Sequence, residues 1–134
     1  MSPTSFTLAE PATEKAVSDL RDRFPNLPEE YFTFLLASNG GEGFLGISPG
    51  YTVLWGAHEV AQFSSEYEVQ IYLPGYVAVG TSGGGDLFVF PLSGSPAGIF
   101  AVPAIGMAPD VVDLVAPSFP ALVAAFGGNW QPHV

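Results

Sequence analysis

Apolar positions in the first forty residues recur at helical spacing. Val17, Leu20 and Phe24 share one face of the segment from Pro11 to Phe24, while Lys15, Asp19 and Asp22 fall on others. Pro11 suits the first turn of such a helix, where a backbone N–H would have no partner. Pro25 stops it, because the residue before a proline is pushed out of the helical region. A second helix is predicted from Pro28, with Glu29 and Glu30 in the first turn, where the helix dipole favours carboxylates. Tyr31, Phe32, Leu35 and Leu36 make its buried stripe, and Asn39-Gly40-Gly41 reads as a left-handed C-terminal cap.

Beyond Gly41 the period changes. Tyr51 to Trp55 reads as a strand, and His58 to Gln70 as a helix with Val60, Phe63 and Tyr67 on one face. Tyr67 to Leu73 also fits an extended segment. Tyr76–Val79 and Leu87–Phe90 are predicted strands joined by the loop Gly80-Thr81-Ser82-Gly83-Gly84-Gly85-Asp86. Ile99–Val102 is a further strand, and Val111–Val115 either another or an irregular edge. Ser118 suits an N-cap for a closing helix with Phe119, Leu122, Val123 and Phe126 on one face, ended by Gly127-Gly128. This order predicts one α+β domain over residues 1–134, core about 11–126, with helices packed on a mostly antiparallel sheet.

Composition narrows the function classes. Thirteen acidic residues oppose three basic ones, giving a net charge of −10. Such a surface repels phosphate backbones and anionic lipid, which argues against nucleic-acid and membrane-surface roles. The chain has no cysteine, so disulfides, thiolate nucleophiles and Cys-based zinc sites are excluded. A mean hydropathy of +0.34 raises the question of a membrane span. The charge-free stretch from Leu87 to Pro109 is too rich in proline and glycine for a spanning helix. The N-terminal residues show neither a basic cluster nor an apolar run, so a cytoplasmic location is expected.

Candidate chemistry is sparse. The Gly80–Asp86 loop lacks a Gly-Lys-Ser/Thr sequence and leads into a strand rather than a helix, so it reads as a turn whose glycines supply positive φ. His58 lies beside Glu59, but adjacent helical residues do not face each other, and His133 is penultimate. Gly46-Ile47-Ser48-Pro49-Gly50 matches a nucleophile elbow only in letters, since proline stands where the helix would begin. No catalytic residue, metal ligand or cofactor is assigned. Trp55, Tyr72, Tyr76 and Trp130 are candidate binding anchors, though most of the 18 aromatics must be core.

Leu27-Pro28-Glu29-Glu30-Tyr31-Phe32-Thr33-Phe34-Leu35, followed by Asn39-Gly40-Gly41, resembles the Leu-Pro-x-x-Tyr…Asn-Gly-Gly signature of the SUKH superfamily. That superfamily comprises cytoplasmic immunity proteins of bacterial toxin systems, with fungal relatives that regulate cell-wall synthesis. Gly80–Phe90 is similar to its glycine-rich, Asp-ending segment between two strands, and Ser118-Phe119 to its closing Ser-Phe motif. The resemblance implies a single α+β domain that works by binding another protein, with no shared catalytic residue. The second half departs from the pattern in its many alanines, glycines and prolines and its lack of any basic residue.

Charge adds to this expectation. From Tyr31 onward there are seven acidic residues and no basic one. Such a field steers a basic partner, and nuclease toxins must be basic to hold their substrate. It also keeps an apolar protein soluble. The leading expectation is a non-enzymatic immunity protein that binds a basic toxin domain, with Glu42, Glu66, Glu68 and Asp86 as contact residues. The rival readings are a regulatory or scaffold module for an endogenous protein, and an enzyme using paired carboxylates.

Overall fold

The structure is a computed structural model that describes residues 5–45 and 50–125. Strands β1 (Ser5–Leu8), β2 (Gly41–Phe44), β3 (Tyr51–Leu54), β4 (Tyr76–Thr81), β5 (Asp86–Pro91), β6 (Ile99–Pro103) and β7 (Asp113–Ala116) form one sheet in sequence order. Every neighbouring pair is antiparallel. Helices α1 (Glu14–Arg23) and α2 (Glu29–Ala37) connect β1 to β2. Helices α3 (Ala57–Glu66) and α4 (Val69–Tyr72) connect β3 to β4, and α5 (Phe119–Ala124) follows β7. The class is α+β, as the sequence predicts.

The sheet's centre is the driest part. Val77, Ala78 and Val79 of β4 and Leu87, Phe88, Val89 and Phe90 of β5 are all buried, although consecutive strand residues point to opposite faces. Both faces of these strands are therefore covered, which explains an unbroken apolar run where an alternating one would suit a half-wet strand. On one face, Phe90 meets the helices. Tyr31 of α2 lies 5.2 Å from Phe90 and 5.3 Å from Phe119 of α5, ring centre to ring centre. The segments carrying the Leu-Pro-x-x-Tyr and Ser-Phe motifs thus meet in one aromatic cluster.

Several expectations are corrected. The first helix starts at Glu14 rather than near Pro11: Thr13 is the N-cap, its hydroxyl accepting from the Ala16 N–H at 3.1 Å. Asn39 does not cap its own helix. Its Oδ1 accepts from the Ala57 N–H at 2.7 Å, capping the start of α3, while Gly41 already belongs to β2. The predicted helix His58–Gln70 is two helices, broken where Glu68 takes a left-handed conformation (φ 59°), and Tyr67–Leu73 is not extended. Strands β1 and β2 carry no clear signal in the sequence. The strand expected over Val111–Val115 is present as edge strand β7, shifted to Asp113–Ala116 behind a short 3-10 turn, Pro109–Val111. Ser118 caps α5 as expected, accepting from the Ala121 N–H at 3.2 Å. Phe126, Gly127-Gly128, Trp130, His133 and most of the Gly46–Gly50 match lie outside the described residues.

Candidate protein-binding surface

The glycine-rich loop is organised by its own serine. Ser82 is buried, and its Oγ accepts from the N–H groups of Gly84 and Asp86, both at 3.1 Å. The Asp86 carbonyl in turn accepts from the Ser82 N–H and the Thr81 hydroxyl, each at 2.9 Å. Two of the N–H groups that would cradle an anion are thus already used. Among Gly83, Gly84 and Gly85 only Gly85 has positive φ, so left-handed geometry explains one glycine, not the run. Gly80 answers to closeness instead: a Cβ there would stand 2.3 Å from the Val53 carbonyl of the adjacent strand. Asp86 is thus a turn residue through its backbone, and its half-buried side chain stands at the start of β5.

Glu42 lies exposed on β2, in register with Val53 of β3, which pairs with Thr81 of β4, itself opposite Leu87 of β5. Leu87 shares that row, so Asp86 beside it falls on the other face by strand alternation, three strands away. Glu42 has its own partner. The Tyr51 hydroxyl donates to its Oε2, and this hydrogen bond is the main cause that holds the Tyr51 phenol above its ordinary pKa. Phe44, largely exposed, packs edge-on against Tyr51 with ring centres 5.0 Å apart.

Glu66 and Glu68 are neighbours in sequence and line different clefts, Glu66 one with Trp55 and Glu68 one with Arg23. They flank Tyr67 at the turn from α3 to α4, and both are exposed. Tyr67, Ile71 and Tyr72 are exposed there as well, the densest run of exposed large apolar side chains among the described residues. Behind Tyr67 stands Trp55, the first residue after β3. Its ring lies 6.0 Å from Tyr67, nearly parallel at 12°, and 5.1 Å from Phe63, edge-on at 75°. Trp55, Phe63, Glu66 and Tyr67 enclose an open recess of about 340 Å³.

The sequence assigns Tyr67 to the buried face of its helix, but only Val60 of that trio is fully buried, Phe63 being half-buried and Tyr67 43% exposed. The i, i+4 spacing of Phe63 and Tyr67 was the available signal, and the ring that completes the recess arrives from another element. Among the candidate anchors, Tyr72 is exposed, Tyr76 is half-buried against Phe100, and Trp55 is buried.

All three basic side chains sit on α1. Lys15 pairs with Asp19 at 3.0 Å, and Arg21 with Glu29 at 2.5 Å. Arg23 lines a separate cleft of about 430 Å³ with Glu68 and Ile71. His58 is exposed, 3.5 Å from the Asn39 amide, and Glu59 turns away to accept from the Gly56 N–H at 2.8 Å. Among the described residues no three His, Asp or Glu side chains are grouped to hold a metal ion, and no helix is long and apolar enough to cross a membrane.

The model of the SMI1 / KNR4 family (SUKH-1) matches residues 11–125. The chain belongs to this family. No curated protein matches the sequence. The span of the SUKH-1 match runs from just before α1 to the end of α5, so every helix and all strands but β1 belong to the shared domain. Membership is consistent with a protein-binding module of the immunity or regulatory kind, and the exposed acidic and aromatic side chains of this SUKH-1 domain suit such a role.

Proposed function

We propose that the chain is an immunity protein that neutralises a cognate bacterial toxin by binding it directly, without catalysis, in the cytoplasm of the cell that makes it. The observation that carries this reading is the separation of charge. Every lysine and arginine lies on α1, two of the three in internal ion pairs, while the chain from Tyr31 onward bears seven carboxylates and no cation. A surface of that kind accelerates encounter with a basic protein and disfavours anionic ones. Nuclease toxins are basic where they hold nucleic acid, which makes them the best-matched class.

The test is co-expression with the toxic domain encoded beside it in its source genome. Restored growth supports the reading, and continued killing despite soluble expression of both proteins sinks it. In vitro, the association rate should fall at least tenfold as salt rises from about 20 mM to about 300 mM, because screening removes steering. A stable cellular partner that is not a toxin would replace this reading by the regulatory one.

A further inference from the structure

The recess behind Tyr67 has a specific chemistry. Its walls are the rings of Trp55, Phe63 and Tyr67, and its single charged group among the described residues is the Glu66 carboxylate. Aromatic faces carry negative potential, so rings beside a carboxylate attract an organic cation. The carboxylate is also oriented: Glu66 Oε2 accepts from Gln62 Nε2 at 3.0 Å.

The molecule itself holds one cation in such a set. Arg21 places its guanidinium 4.4 Å from the centre of the Phe32 ring while donating to both oxygens of Glu29. One arginine is thus held between a ring and a carboxylate inside this fold. The same two kinds of group stand at the end of α3, and none of the chain's three basic side chains lines that recess.

We propose that the recess formed by Trp55, Phe63, Glu66 and Tyr67 receives an arginine side chain of a protein partner. The proposal rests on the reading of the chain as a protein-binding module and names the surface and the partner group. A guanidinium is flat and weakly hydrated, so it stacks on the exposed ring of Tyr67, which Trp55 backs, while its fork of N–H groups meets Glu66. A lysine ammonium is compact and strongly hydrated and fits such a site less well. A second copy of the chain is disfavoured as occupant, because two molecules of net charge −10 repel.

The test uses a Trp130→Phe variant, which leaves Trp55 as the single tryptophan. A ten-residue peptide with three arginines, and its lysine counterpart, are titrated against Trp55 fluorescence and the Trp55 indole N–H resonance. The arginine peptide should give a saturable response and bind several-fold tighter than the lysine peptide. Glu66→Gln should weaken it roughly three- to fivefold. That change removes a negative charge from a helix C-terminus, so the fold is not at risk. Asp110→Asn should leave binding unchanged. No saturable response, equal binding of the two peptides, or a response indifferent to Glu66→Gln would overturn the proposal. If growth rescue persists in a chain whose recess fails this test, the immunity reading stands and the surface lies elsewhere. If rescue fails while Trp55 responds as described, the recess serves a partner other than a toxin.

Discussion

The Ser64 hydroxyl bonds both backbone groups of Ala78, donating to the carbonyl at 2.9 Å and accepting from the N–H at 3.0 Å. This happens where β3 leaves β4. The two strands pair at Val53–Thr81 and Leu54–Gly80, and the Trp55 N–H makes a last bond to the Val79 carbonyl at 2.9 Å. Beyond that point a serine on α3 serves the peptide groups that a strand would otherwise serve. One buried side chain thereby ties helix to sheet and fixes the end of α3 that carries Phe63, Glu66 and Tyr67.

Replacing Ser64 by alanine should therefore cost about 2 kcal/mol, since a buried donor and a buried acceptor both lose their partner. Urea denaturation followed by circular dichroism measures it. A cost below about 0.5 kcal/mol would show that the backbone of Ala78 finds other partners.

Asn39 should behave as a cap for a helix remote in sequence. Asn39→Ala removes the acceptor of the Ala57 N–H and is expected to cost about 1 kcal/mol. Amide exchange should quicken at Ala57 and His58, the first turn of α3, and not in α2. Faster exchange confined to residues 34–38 would instead support the local cap that the sequence suggests.

Glu68 occupies the position after a helix where glycine is common, and its left-handed backbone is costly for any residue with a Cβ. Glu68→Gly should raise stability by about 0.5 kcal/mol, after allowing for the greater freedom of glycine in the unfolded chain. Glu68→Ala should give no such gain. Equal effects of the two substitutions in chemical denaturation would mean that the backbone at this turn carries no strain.

Tyr31 is fully buried, and its hydroxyl has no hydrogen-bond partner among the described residues. Burial pushes its phenol far above the ordinary value near 10 by penalising the anion. Below pH 10 the group is neutral in both states and pH-independent. Above pH 10 the unfolded chain releases this proton and the folded one retains it, so stability falls as pH rises. Tyr31→Phe should flatten that alkaline slope and, by removing an unpaired buried hydroxyl, raise stability at pH 7 by about 1 kcal/mol. Denaturant melts at pH 7 and pH 11 check both halves. A loss of stability at pH 7 would mean that the hydroxyl is satisfied in solution.

The recurrence of Val17 and Leu20, the Pro-Glu-Glu start of α2, and Ser118 before α5 were all legible in the sequence, because each is a local device. So was the excess of carboxylates. Strands β1 and β2 were not legible. Ser5–Leu8 and the glycine-interrupted Gly41–Phe44 are short and weakly patterned, and they become strands by pairing with each other across two intervening helices. The recess could not be read either, since Trp55 comes from the end of a strand and Phe63, Glu66 and Tyr67 from the end of a helix. Periodicity records which face of an element is apolar, as with Val60. It carries no record of which ring of another element arrives beside Tyr67, and that contact is decided by the packing of α3 against β4.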